Sequence, residues 1–204
     1  MTVSSPAEVL EKAGWARSVA GSGPYLSLFA RAGLSREAVD RAVATREIHE
    51  LPSARGCTYI LPSFDFALGL RVGEEFGTGE MRLAHVRGHS RGSREALFRG
   101  VLDVLRKGPL SPDEIRDATG NASRSLGSEG ARKGLTTTLP LALGSLQVAG
   151  QIRRIPINGR LDQQRYRYAL WKPNPTANSK LSIPEAYTRT CAPVFSLDRT
   201  GYGV

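Results

Sequence analysis

Five arginines, Arg153, Arg154, Arg160, Arg165 and Arg167, are gathered in one short stretch of the chain, with Lys133, Thr136, Thr137 and Thr138 a little upstream. Guanidinium groups are permanently charged and fork-shaped, and hydroxyls and ammonium groups donate readily to anionic oxygens. Together they suit the phosphates of a polyanion. Arg165 and Arg167 alternate with Tyr166 and Tyr168, so a strand there would show cations on one face and rings on the other. The net charge is +9, from 28 Lys and Arg against 19 Asp and Glu. An excess of this sign, grouped beside an apolar helix, favours nucleic acid as the partner. Gln147, Gln163 and Gln164 are amides that could read a base edge; the alternatives are that Gln147 faces solvent and that Gln163 and Gln164 simply support the turn.

Covalent chemistry is less visible. The stretch from Gly127 to Gly134 has glycines and Lys133, but its spacing is wrong for a phosphate-binding loop and no Ser or Thr follows the lysine. His85 and His89 are four apart, yet Gly88 and Gly92 argue against a helix and no third ligand is near, so no metal is expected. The two cysteines, Cys57 and Cys191, are far apart and form neither a CxxC pair nor a disulfide framework. Cys57 lies in an apolar run and reads as a small buried residue. No serine–histidine–acid pattern is recognisable, no cofactor motif is present, and spacing alone assigns no catalytic residue.

The elements that position the basic residues can be read from periodicity. Leu139, Leu143 and Leu146 mark one face of a helix, Pro140 sits in its first turn and Gly150 at its end. Strand-like residues follow, with Asn158-Gly159 as a hairpin signal. Before them, Leu97, Val101, Leu102 and Leu105 line a helix over 95–106. Ser111-Pro-Asp-Glu114 is a capping box that opens another, to about Ala118. The first half repeats this order more roughly. Helical segments include one from Ala7 to Trp15 and one capped by Ser35 that runs to Thr45, with Ala38, Val39, Ala42 and Val43 on one face. Short strands at 48–51 and 57–61 follow, then a helix capped by Ser63.

Helices followed by an arginine-rich hairpin describe an α+β fold that is mainly helical: tandem winged helix-turn-helix domains with small β-hairpin wings. The expected division is a first domain over 1–75, a Gly/Arg/His-rich linker over 76–94, a second domain over 95–174 and an irregular tail over 175–204. The N-terminus lacks the apolar run of a signal peptide and no stretch reaches a membrane-spanning length. A cytoplasmic protein with double-stranded DNA as partner, no membrane and no small-molecule cofactor is the expectation.

Four segments resemble a known family: GWARSVAGSGPYLSLFARAGLSREAVDRAV, ELPSARGCTYILPSFDFALGLRVG, EGARKGLTTTLPLALGSLQVAGQIRRIP and GRLDQQRYRYALW. They are similar to the AlkZ-type winged-helix proteins, which include glycosylases for alkylated purines and interstrand crosslinks. The similarity runs from Leu10 to Tyr187, and Tyr59 stands where many members have His. It implies a DNA-binding channel and hydrolytic base excision. The family's Gln-x-Gln or Gln-x-Asp motif, laid on this chain, falls on Arg17-Ser18-Val19, and no such motif occurs anywhere in the sequence. The catalytic residues are therefore unknown at this stage, with Glu8, Glu11 and Glu37 the carboxylates available in the first domain. The family also usually continues further, so a truncated or frame-shifted member is expected. DNA binding related to alkylation repair, without catalysis, is the leading reading. A DNA glycosylase acting on alkylated bases and a transcription regulator are the alternatives.

Overall fold

The computed structural model describes residues 5–19, 21–75, 91–123, 137–163 and 165–196, without side chains at 91 and 191–196. The chain is mixed α and β, mainly helical, with small antiparallel sheets. In the first half, α1 (Pro6–Ala13), β1 (Ala16–Arg17), α2 (Gly23–Ala32) and α3 (Arg36–Ala44) precede β2 (Ile48–Pro52) and β3 (Thr58–Pro62). Ser5 and Glu8 close a capping box on α1, and the Ser35 hydroxyl accepts from the Ala38 N–H on α3, as its position predicts. The three strands lie in the order β1-β3-β2, with Ala16 opposite Ile60 and Ile60 opposite Glu50.

Alternation sends the two faces of this sheet to different cores. Ala16, Ile48 and Ile60 join Leu10, Leu28 and Val39 beneath the first three helices. Leu51 and Leu61 face Phe66, Leu70 and Trp171. A 3-10 turn, Ser63–Asp65, leads into α4, helical over 66–75; the expected Ser63 cap is instead part of that turn.

The second half contains α5 (Arg91–Leu105), α6 (Pro112–Thr119), α7 (Leu139–Val148) and the hairpin β4 (Ile152–Pro156) and β5 (Tyr166–Leu170). The apolar faces read from the sequence meet as expected: Leu97, Val101 and Leu105 pack on Ile115, Leu139, Leu143, Leu146 and Ile152. Leu141 is buried too, because α7 lies against β2 of the first half as well as against β4. Gly150 ends this helix at φ 65°, and a Cβ there would strike the Asn174 side chain, so glycine is required twice over.

Several expectations change. Helix α5 begins at Arg91, inside the segment read as linker; residues 76–90, with His85 and His89, lie outside the described residues. The tail read as irregular contains α8 (Ile183–Ser196). Its start is fixed by a capping pair, since the Ser182 N–H donates to Glu185 Oε2 at 2.8 Å and the Glu185 N–H to Ser182 Oγ at 3.4 Å. Arg71 Nε holds the approach to α8 through the Leu181 carbonyl at 2.6 Å. Asn158-Gly159 does not join the strands directly. It sits in a longer loop, 157–165, where the Gly159 N–H bonds to the Pro156 carbonyl at 3.1 Å and the Ile157 N–H to that of Arg165 at 3.1 Å. Cys57 is partly exposed, with its sulfur 3.3 Å from the Arg17 guanidinium.

Candidate nucleic-acid interface

The tip of the second hairpin is docked on the first half. Leu161, in the loop, is buried in the first half's inner core. Its N–H donates to the Tyr25 hydroxyl at 3.0 Å, and that hydroxyl donates to Asp40. Burial and the Asp40 bond push the Tyr25 pKa up. Arg36 lies over the Tyr25 ring at 5.6 Å and reaches Asp162 at 3.5 Å. Trp171, just past β5, closes a second seam by packing edge-on to His49 at 5.3 Å and to Phe66 at 5.4 Å.

Between these two seams a cavity of about 720 Å³ opens. Ser18, Glu50 and Thr58 line it from the first sheet. The start of α6, from Ser111 to Asp113, lines it from the second half, together with Arg154, Ile157, Arg165, Tyr166 and Tyr168 of the hairpin. The expected alternation holds on β5: Arg165 and Arg167 are exposed, Tyr168 is buried and Tyr166 is half-buried. Arg165 stands at the mouth of the cavity. Arg167 lies near enough to Glu114 for its charge to help hold that carboxyl below its usual range, after the two hydrogen bonds from Ser111.

The other basic residues have different surroundings. Arg154 points into the cavity, with its guanidinium 5.2 Å from the Tyr166 ring centre and its Nε buried without a partner. Arg153 is half-buried beside Arg46, and burial followed by that neighbouring charge lowers its pKa. Arg160 is held by Asp162, through Nε at 2.9 Å, and so serves the docking of the loop. Thr137 and Thr138 lie at the start of α7, half-buried and away from the cavity lining; Thr138 makes no side-chain cap. Lys133, Thr136 and Gln164 fall outside the described residues. Gln147 is buried and donates to the Leu143 carbonyl at 3.2 Å, which leaves it no base edge to read.

Glu50 is the residue that sequence reasoning missed. It is 5 % exposed, on the same strand face as Ile48, where alternation calls for an apolar side chain. Its Oε1 accepts a 2.5 Å hydrogen bond from Ser18, while its Oε2 meets no donor among the described residues at full hydrogen-bond geometry. The Tyr166 hydroxyl lies close by: burial, then the Glu50 charge and its hydrogen bonding to Glu50, raise the Tyr166 pKa. The available signal was a glutamate at an inward position of a short apolar strand. Glu8, Glu11 and Glu37, the carboxylates named from the sequence, are all exposed on helices.

A family profile described as "DNA glycosylase AlkZ-like" matches residues 19–192. The chain belongs to the AlkZ-like family. Among solved structures it is similar to the DNA glycosylase AlkZ of Streptomyces sahachiroi, with a TM-score of 0.66 and 18 % identity over 94 % of this chain. The alignment covers 51 % of that enzyme, so the chain spans about half its length. At this identity the likeness establishes the fold. A comparison with curated proteins finds no match. Arg17 ends β1, Ser18 and Val19 follow it, and Ser18 lines the cavity. Among the described residues no group of His, Cys, Asp and Glu suits a metal ion, and no helix is long and apolar enough to cross a membrane.

Proposed function

We propose that this AlkZ-like chain grips double-stranded DNA along the exposed arginine face of its second hairpin and draws one damaged base into the cavity between its halves. On this reading the two helix-and-hairpin halves are tandem winged-helix units, and α7 with the hairpin presents the phosphate-binding surface. The observation that carries the proposal is the alternation along β5: Arg165 and Arg167 are exposed while Tyr166 and Tyr168, alternating with them, anchor the strand. That arrangement places permanent charge at the mouth of a cavity without burying it. The cavity volume falls in the range of ordinary ligand pockets, about 300–1,000 Å³, large enough for an extruded nucleobase. Extrusion is how enzymes acting on a base reach it within a duplex. Arg154, inside the cavity, suits the phosphate flanking the extruded nucleotide.

The test is a fluorescence-anisotropy titration of a duplex oligonucleotide across a salt series. Binding weakens linearly on a log–log plot as salt rises. A duplex carrying one alkylated purine binds more tightly than its undamaged counterpart. No binding in dilute buffer overturns the reading. Equal affinity for damaged and undamaged duplex restricts it to the arginine face and removes the role of the cavity.

A further inference from the structure

We propose that Glu50 is a catalytic residue that activates the attacking water for hydrolysis of the N-glycosidic bond, with Ser18 as its positioning residue. The inference rests on the proposed DNA-binding reading and adds the chemistry of the cavity.

A carboxylate removed from water is costly unless its oxygens are satisfied. Glu50 lies on an apolar sheet face at 5 % exposure, and among the described residues Ser18 alone meets it at full hydrogen-bond geometry, with the Tyr166 hydroxyl close beside it. The Ser18 hydroxyl fixes Oε1 and so fixes the plane of the carboxylate. Glu50 is part of the cavity wall. Tyr166 is the second donor at hand, and its hydroxyl leaves Oε2 without a full hydrogen bond. Here Arg154 lines the same cavity, yet its Nε is itself buried without a partner, and it lies over the Tyr166 ring. Glu50 from the first sheet and Arg154 from the hairpin line one cavity, each with a buried polar atom left without a hydrogen bond among the described residues, as suits a site that takes a polar ligand.

The reaction is balanced with water as the co-reactant. Water bonded to Glu50 Oε2 attacks C1′ of the extruded nucleotide. The C1′–N bond breaks, and its electron pair moves onto the base. On a ring made cationic by alkylation that pair cancels the charge, so the base leaves neutral without needing a proton. The proton of the water passes to Glu50 and then to solvent. The products are the free base and an abasic site, and nothing is oxidised or reduced. The carboxylate also sits where positive charge develops on the sugar, so it is favoured in the transition state over the ground state.

The experiment is single-turnover excision of a 7-methylguanine from a duplex, read as alkali-labile strand breaks, with binding followed by anisotropy on the same duplex. Glu50→Gln keeps the size of the side chain and an oxygen to accept from Ser18. It should lower the rate by on the order of 10²–10⁴-fold while leaving duplex affinity and melting temperature unchanged or raised. Ser18→Ala should lower the rate less and displace its pH profile. Glu11→Gln, on an exposed helix face, should change nothing. The proposal is overturned if Glu50→Gln excises at the wild-type rate, or if the wild-type protein binds the duplex but releases no base; in both cases DNA binding stands. Absence of duplex binding by the wild type overturns both readings.

Discussion

Among the described residues, two antiparallel hairpins are built to the same plan, five-residue strands following a set of helices, yet they differ in what they expose. The hairpin of β2 and β3 is covered on both faces, by the inner core on one side and by Phe66, Leu70 and Trp171 on the other. It hides a histidine and a glutamate. The hairpin of β4 and β5 buries Tyr168 and Ile152 but leaves Arg165 and Arg167 in solvent. The difference follows from dielectric. A charge meant to hold a phosphate can stay in water, at little cost to the fold. A carboxylate meant to act on one water molecule gains strength only where other water is excluded. The two sites adjoin because the tip and the end of the second hairpin are both docked on the first half.

The largest test of that picture is to break the seams. Trp171→Ala removes an aromatic shared between halves and should cost about 3–5 kcal/mol of stability. Leu161→Ala, at the loop tip, should cost about 2–5 kcal/mol. Both are measured by urea unfolding of the whole chain. If Trp171→Ala unfolds at the wild-type midpoint, the halves do not depend on each other and the cavity between them has no rigid walls.

The next test separates the hairpins by pH. Burial, followed by the charges of Arg153, Arg46 and Arg154, lowers the His49 pKa from its ordinary 6.5 to about 3. His49 is 3 % exposed, with Nε2 unpartnered. The unfolded chain therefore takes up a proton that the folded chain refuses. The contribution of neutral His49 is complete above about pH 6.5 and is lost as pH falls from there toward 3. Within that window it amounts to about 1.4 kcal/mol per pH unit. Carboxylates titrate over part of the same range, so the comparison is with His49→Phe, which should show a shallower loss of melting temperature between pH 7 and pH 5. Parallel curves for the two proteins would exclude His49 as the source.

What the sequence disclosed follows from how local each cause is. The cap at Ser35, the capping box at Ser111, the apolar stripe of α5 and the alternation of β5 are written in neighbouring residues, and each appears in the structure. Helix α8 opens on the same capping spacing, Ser182 to Glu185, but the segment after it has too weak an apolar periodicity to mark a helix by itself. Asn158-Gly159 marked a hairpin but not its length; the loop is long because Leu161 must reach the other half's core. Arg160 looked like its neighbours, but Asp162 two residues on claims it. Glu50 was illegible for a different reason. Its surroundings, Ser18 and Tyr166, are distant in sequence and meet it only in the fold. The spacing of one chain cannot show which residues folding brings together.

The third test concerns the exposed hairpin alone. Each phosphate neutralised contributes about 0.9 to the slope of log affinity against log salt. Arg165→Ala and Arg167→Ala should each reduce the slope by about that amount, leave unfolding unchanged, and leave the excision rate at saturating protein nearly intact. A slope that stays the same removes these arginines from the interface.

The smallest effect is expected at the rim, and it sharpens the contrast between holding by burial and holding by charge. Arg36 and Asp162 approach to 3.5 Å, with side chains 42 % and 20 % exposed. An ion pair this open to solvent is screened and must order two side chains, so its coupling should lie within about 0–1 kcal/mol. A double-mutant cycle with Arg36→Ala and Asp162→Ala, read by urea unfolding, measures it directly. Asp162 also holds Arg160, so the Asp162 variant alone should cost more than the Arg36 variant. A coupling of 2 kcal/mol or more, on the order of what Leu161→Ala is expected to cost, would mean that the tip is held by charge as much as by burial. The docking of the second hairpin would then weaken with salt just as its grip on DNA does, and the two roles assigned to its arginines could not be separated by ionic strength.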